Sequence, residues 1–421
     1  MSKINFNKLN NNINYISCHD KKYLSVSIFF LLKINHSHNS KEQSGIAHFV
    51  EHMLFKGTKT KNYKELAQAI DDLGGDFNAY TTKEHIGIYT TIMKNNLHKA
   101  LEIILDITNN SSFIEKEINK EKSIILQEID NYYDNAEEHV FDNFFSAAYG
   151  NHYLGQNLLG SKNFISEINQ ESLLKYFKTN FNPQNSYICV VGDFESIEIK
   201  SQIENFFLNK VQMPNLTENN TPIIPQFQHN KVIYQVRDLV QSYFVIGFNS
   251  YDYKDIRKNY ILQILNIILG GGFSSRLFQK FREELAIVYQ IGSSITSYEN
   301  AGTFKIHGAC NIQDLNFLLS YLYEEINKIL DFLKNSEIER AKNCIKTNIV
   351  FSYETTASIA NIITYDYVLF NKYYQLKEVF DIIESITKQE ILDLANIIFR
   401  TIPSYSILAN KKIDLKLYQL Q

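Results

Sequence analysis

Cysteine is scarce in this chain: Cys18, Cys189, Cys310 and Cys344 are far apart, and none forms a C-x-x-C pair. That offers no thiolate metal site and fits a reducing compartment. An excess of one charge is also missing. The formal net charge of −4 is small for 421 residues and gives no support to a nucleic-acid-binding face, which would be basic. Long hydrophobic runs are absent too. The first strongly apolar run, "YLSVSIFFLL", is too short and too rich in β-formers to span a membrane. The opening "MSKINFNKLNNNINYISC" lacks the apolar core of a signal peptide, and the first arginine in the chain is Arg237, where a mitochondrial transit peptide would be arginine-rich. These absences lead to the expectation of a soluble, cytoplasmic protein with no nucleic-acid and no membrane partner.

Proline is rare as well, and its distribution is informative. Three of the five prolines, Pro214, Pro222 and Pro225, fall in "MPNLTENNTPIIPQFQ", a polar stretch without helical or strand periodicity. It reads as a linker at 214–228 between an N-terminal domain, 1–213, and a C-terminal domain, 229–421. With 44% hydrophobic and 21% charged residues the chain can bury real cores, and its length suggests about two or three domains. The two halves follow similar programmes. "LSVSIFFLLK" and "SYFVIGFN" both read as strands followed by helix-patterned stretches. "FNAYTTKEHIGIYTTIMKNNLHKALEII" and "IGSSITSYENAGTFKIHGACNIQDLNFLL" both read as a hairpin and then a helix. The economical reading is a duplicated α+β unit.

Within "GIAHFVEHMLFKGT", Ile46, Phe49, Val50, Met53 and Leu54 make a complete core stripe at i, i+3, i+4, i+7 and i+8. His48, Glu51, His52 and Phe55 centre on the other side of that helix. The histidines are therefore not needed for packing. Two imidazoles at i, i+4 can address one cation, and Zn²⁺ accepts nitrogen at about 2.0–2.1 Å. Glu51 lies between them, able to reach a water without being a ligand. A solvated polar face is the alternative.

A second helix, "KEKSIILQEIDNYYDNAEEHVFDNF", has an apolar stripe of Ile118, Ile125, Ile129 and Tyr132, flanked by Ile124. Glu121 and Glu128, two turns apart, fall inside that stripe. Carboxylates on an apolar face are costly unless they are paired or bind a metal. Buried salt bridges to lysine are the alternative.

H-x-x-E-H is the inverted zinc motif of the inverzincins, and "GIAHFVEHMLFKGT" closely resembles the pitrilysin family, which includes insulin-degrading enzyme and the mitochondrial processing peptidases. The resemblance spans nearly the whole chain. In that family the third zinc ligand is a glutamate 76 positions after the second histidine, which here is Glu128. The resemblance implies a zinc metalloendopeptidase with one Zn²⁺ per chain held by His48, His52 and Glu128. Glu51 would be the general base, and Glu121 would orient a ligand histidine or raise its basicity. It further implies two α+β domains of related topology, each an antiparallel sheet with helices on one face. Longer members carry four such domains in a clamshell, so a two-domain chain is expected to dimerise with itself, or with a related subunit, around peptide substrates.

Other segments extend the resemblance. "GGDFNAYTTKEH" is similar to the family's substrate-pairing edge strand, in which Asn78, Ala79 and Tyr80 would bond the peptide backbone. An ordinary hairpin is the alternative. In "LGGGFSSRLFQKFREELAIVY", Arg282 and Tyr289 match an Arg/Tyr pair expected to hold substrate, although Ala286 stands where relatives often have glycine. Glu138 and Asp142 match acidic positions of the processing peptidase β-subunit that receive a basic side chain, or else form a solvated face. Phe55 matches an aromatic lining the pocket beyond the scissile bond. The family also contains non-catalytic structural and partner subunits. These typically lose part of the zinc motif, whereas all its members are present here.

Overall fold

Within Ser25–Lys33 the stretch from Ile28 to Leu32 is apolar at every position, so a strand formed from it must be covered on both faces. A computed structural model, describing residues 4–34, 44–207, 224–415 and 417, satisfies that demand with helices on the two sides of each of two sheets.

The N-terminal part of the chain runs β1 (Ile4–Lys8), β2 (Asn14–His19), β3 (Ser25–Lys33), α1 (Ile46–Leu54), α2 (Tyr63–Asp71) and the hairpin β4 (Asp76–Thr81)–β5 (His85–Met93). The helices α3 (Leu97–Asn110), α4 (Glu115–Asp134), α5 (Ala136–Tyr149), α6 (Lys162–Glu167) and α7 (Gln170–Asn180) follow, then β6 (Ser186–Gly192) and α8 (Ser196–Phe207). The later part runs β7 (Val232–Val236), β8 (Ser242–Ser250), α9 (Ile256–Gly270), a π-helical turn at Phe278–Glu284, and the hairpin β9 (Val288–Ser297)–β10 (Gly302–Cys310). After it come α10 (Leu315–Asp331), α11 (Asn335–Ser352), α12 (Thr356–Phe370), α13 (Leu376–Ser385), α14 (Lys388–Phe399) and β11 (Ser404–Ala409).

The first sheet has the order β1-β2-β6-β3-β5-β4 and the second β7-β11-β8-β10-β9. Leaving β1 aside, the two orders are the same, with one parallel pair in each: β2 with β6 and β7 with β11. The α+β class and the repeated plan agree with the sequence reading. Two details differ from it. The sheets are mixed, not purely antiparallel, and helices cover both faces. In the first sheet Phe29, Leu31, Ile16 and Val191 meet Ile359, Ala360 and Ile363 of α12, while Ile28, Phe30 and Leu32 are buried on the side where α3 packs. In the second, Val245 and Leu408 meet Val140, Phe144 and Ala148 of α5. Phe244, Ile246 and Ile407 join the core formed with α9, α10 and α14.

The chain divides into two compact units, one of Met1–Asp130, Asn157–Ile223 and Val350–Tyr373, the other of Asn131–Gln156, Ile224–Ile349 and Tyr374–Gln421. Each sheet is thus roofed by a helix from the other half of the sequence: α12 on the first and α5 on the second. This partition by packing is a different quantity from the expected division along the chain at 214–228, of which residues 214–223 lie outside the described residues.

Candidate metal centre

Helix α1 forms as its pattern requires: Ile46, Phe49, Val50, Met53 and Leu54 are all buried. Its entry is fixed by Gly45, whose φ is 95° and whose added Cβ would lie 2.5 Å from the Leu159 carbonyl oxygen. Only glycine suits that close approach in a left-handed conformation. His48 is buried and His52 half-buried, with ring centroids 4.6 Å apart.

Helix α4 presents Ile118, Ile125 and Ile129 to the core, as its stripe implies, whereas Ile124 is exposed and Tyr132 half-buried. Glu121 is buried and Glu128 half-buried. Glu128 places Oε1 3.7 Å from His48 Nε2 and Oε2 3.6 Å from His52 Nε2. These separations are too long for good hydrogen bonds. Ligand atoms about 2.0–2.2 Å from a tetrahedral Zn²⁺ stand roughly 3.3–3.6 Å from one another, close to these two separations between Glu128 and the histidines. All three candidate atoms lie within 4.8 Å of one another, the only such group of three or more among the described residues. The donor set of two imidazoles and a carboxylate is one that Zn²⁺ accepts.

The surroundings prepare the donors. His52 Nδ1 lies 3.1 Å from Glu121 Oε2. With the proton on Nδ1 donated to that carboxylate, the Nε2 lone pair points toward Glu128 and His48. Glu121 Oε1 is 2.7 Å from Lys56 Nζ. Burial alone would raise the Glu121 pKa, but the bonds from His52 and Lys56 outweigh it and hold the carboxyl below its ordinary range. Glu121 therefore meets Lys56, the partner the sequence left as the alternative, and His52 as well. His48 is pushed down to about 4 by burial and by the neighbouring His52, which keeps its imidazole neutral at physiological pH. Burial raises Glu51, with Glu128 adding to the effect and His52 and Thr81 opposing it.

Strand β4 stands at one end of the first sheet, so Asn78, Ala79 and Tyr80 do lie on an edge strand. The Ala79 N–H is engaged by Asn78 Oδ1 at 2.8 Å. Thr81 Oγ1 donates to Glu51 Oε2 at 3.0 Å, a contact the sequence reading missed, as it missed Lys56. The only available signal was proximity to the motif: Lys56 is four residues after His52, and Thr81 follows the Asn-Ala-Tyr triplet. Phe55 is half-buried and packs edge-on to Phe77, with ring centroids 6.1 Å apart.

The remaining candidates belong to the second unit. On α5, Glu138 is exposed and Asp142 half-buried, and Tyr132 ties them, its hydroxyl donating to the Glu138 carbonyl at 3.1 Å. Burial and then the Asp142 carboxylate, which hydrogen-bonds it, raise the Tyr132 pKa. Arg282 sits on the π-helical turn with its guanidinium carbon 4.9 Å from the Phe278 ring and 5.1 Å from the Tyr289 ring. The seven-residue spacing thus becomes a cation–π contact. Ala286 adopts φ 51°, the left-handed region that favours glycine, which gives the departure noted in the sequence a physical meaning.

The pattern described as "Insulinase (Peptidase family M16)" matches residues 16–162, and "Peptidase M16 inactive domain" matches residues 167–344. An "Uncharacterized zinc protease" of Rickettsia bellii is 35% identical over 414 residues, covering 98% of this chain and 99% of that one. The chain belongs to peptidase family M16. Within M16 it is also similar to a zinc protease of Bacillus subtilis, 31% identical, covering 89% of this chain and 90% of the relative. A probable mitochondrial-processing peptidase subunit beta of Arabidopsis thaliana is 27% identical, covering 85% of this chain and 69% of the relative. The M16 fold recurs in the crystal structure of a protease from Helicobacter pylori, with a TM-score of 0.88, 20% identity, and coverage of 97% of this chain and 100% of that one.

Proposed function

We propose that this M16 chain is a zinc metalloendopeptidase acting on peptides or short unfolded, presequence-like segments. The observation that carries the reading is the convergence of His48 Nε2, His52 Nε2 and a Glu128 carboxylate oxygen, with Glu51 one residue before His52 on the same helix. His48, His52 and Glu128 would hold the ion. A zinc ion so held supplies Lewis acidity, acidifying a water and polarising a peptide carbonyl. The chain's own residues do the rest. Thr81 occupies Glu51 Oε2, leaving Oε1 to take the proton from the attacking water and pass it to the leaving amine. Glu121 keeps His52 in the tautomer that turns Nε2 to the site. Strand β4 offers an edge to an extended peptide, which would bind many sequences through main-chain bonds, with Asn78 Oδ1 giving up the Ala79 N–H on peptide entry.

In this reading Phe55 contacts an apolar side chain after the scissile bond, and Arg282 and Tyr289 bind peptide backbone. Glu138 and Asp142 bind a peptide arginine. The chain works as a homodimer, and in the cytoplasm, a reducing compartment that suits its four free cysteines. The competing function is that of a non-catalytic partner subunit.

Cleavage of a quenched peptide decides between the two. The purified chain should cleave it, lose activity to a chelator and regain it with zinc. Glu51→Gln should keep stoichiometric zinc while kcat falls by about 10²–10⁴, because an amide cannot take the proton. A zinc-loaded chain inactive on a diverse peptide library would favour the partner subunit. A Glu51→Gln variant retaining more than a few per cent of activity would move the base elsewhere.

A further inference from the structure

An edge strand has a neighbour on one side only, so a strand that positions a reacting group needs some other restraint. Strand β4 is such a strand, since Thr81 holds Glu51. Successive side chains on a strand point to opposite faces, so Tyr80 points away from Glu51, toward the face that α12 covers. There it is restrained from several directions.

Tyr80 pairs with Gly87 across the β4–β5 ladder, and its ring lies over that glycine: a Cβ at Gly87 would fall 2.5 Å from the ring carbon Cζ. Any side chain at position 87 would therefore displace the ring. The ring lies inward over the sheet, 6.4 Å from Phe29 at a 26° interplanar angle and 6.3 Å from Tyr89. Its hydroxyl is 2.9 Å from the Tyr365 hydroxyl on α12. Tyr365 packs edge-on to His85 at 5.6 Å. The start of α12 is tied to β3, with Thr356 Oγ1 2.8 Å from Ser27 Oγ and 3.2 Å from Ser25 Oγ.

We infer that Tyr365 and Gly87 are positioning residues for the reaction: they fix Tyr80, Tyr80 fixes the edge strand, and Thr81 on that strand fixes the Glu51 carboxylate. The inference rests on the peptidase reading, in which Glu51 carries the proton. Threonine is stiff at χ1, so its hydroxyl follows the backbone of β4. A shift of about 1 Å in a reacting group can cost as much as 10²-fold in rate.

The test combines kinetics with amide hydrogen exchange of residues 76–81 in the metal-free chain, which does not depend on activity. Thr81→Val should lower kcat roughly tenfold, the scale of one lost hydrogen bond to a charged group, with KM and zinc content unchanged. Thr81→Ser should recover most of it. Tyr365→Phe and Gly87→Ala should each speed exchange in β4 several-fold and lower kcat. Adding Gly87→Ala to Tyr80→Leu should do little more than Tyr80→Leu alone, since the added methyl acts only through the ring. Wild-type exchange in β4 of Tyr365→Phe, or full kcat in Thr81→Val, would overturn the inference. If Gly87→Ala does not fold, Tyr365→Phe carries the test. A wild-type, zinc-loaded chain that cleaves nothing would defeat the peptidase reading. The exchange data would still decide whether Tyr365 and Gly87 hold the strand.

Discussion

Replacing Glu121 by alanine should weaken zinc binding without unfolding the chain, and the contacts around it set the size of the effect. Its Oε2 lies 3.1 Å from His52 Nδ1, and its carboxylate is buried, so water cannot readily replace the bond. Carboxylates behind a ligand histidine typically contribute 10–100-fold in metal affinity, or about 1.4–2.7 kcal/mol. The opposing effect is on stability. Alanine removes a buried charge whose desolvation is costly, and it leaves Lys56 without its partner. Lys56 Nζ is only 2.7 Å from Glu121, yet its side chain is 30% exposed and can turn to water. The thermal midpoint of the metal-free chain should therefore move by only a few degrees. Glu121→Gln should fall between: its amide oxygen can still accept from His52, but its NH₂ group faces the Lys56 ammonium. Lys56→Met keeps the carboxylate on His52 and should leave affinity within about threefold. Zinc affinity is measured by competition with a chromophoric chelator on the metal-free protein, alongside melting curves. Affinity in Glu121→Ala within threefold of wild type would refute the argument that this carboxylate prepares His52.

Glu128→Ala should lose stoichiometric zinc by mass spectrometry, and full zinc content would move the third ligand elsewhere. Lys305 is buried on β10, donating to Thr296 Oγ1 and lying 5.0 Å from the Phe145 ring. Burial pushes its pKa down from 10.5 to about 7. Between about pH 7 and 10.5 the unfolded chain then holds a proton that the folded chain has lost, so folded-state stability should rise with pH across that window. Lys305→Met should remove this rise and stabilise the chain near pH 7 by on the order of 2–4 kcal/mol; parallel melting-temperature profiles for the two proteins would contradict it. Changing Glu138 to Gln and Asp142 to Asn together should lower kcat/KM for an Arg-containing peptide and spare its norleucine counterpart. Equal losses on both would make those acids a solvated helix face.

The pattern of α1 determined much of this site by itself. A stripe of five apolar residues has one orientation against a core, so His48, Glu51 and His52 had to share another side, and the i, i+4 spacing had to bring the two rings close. The hairpins at 76–93 and 288–310 were likewise legible as matching units, whereas helices on both faces of β3, where one face was expected, came only with the packing of α3 and α12. Two carboxylates inside the stripe of α4 marked that helix as unusual, but not what they would meet. Only the packing of α4 beside α1 set Glu128 against both Nε2 atoms and Glu121 against Nδ1 and Lys56. Thr81 reaches Glu51 only because β4 closes the sheet beside α1, and Tyr80 finds Tyr365 across 285 residues of chain. The exchange of α5 and α12 between the sheets was beyond the sequence for the same reason. An amphipathic helix specifies that its apolar face be buried, and burial has no direction, so which sheet it covers is decided by the shape of the whole chain once folded.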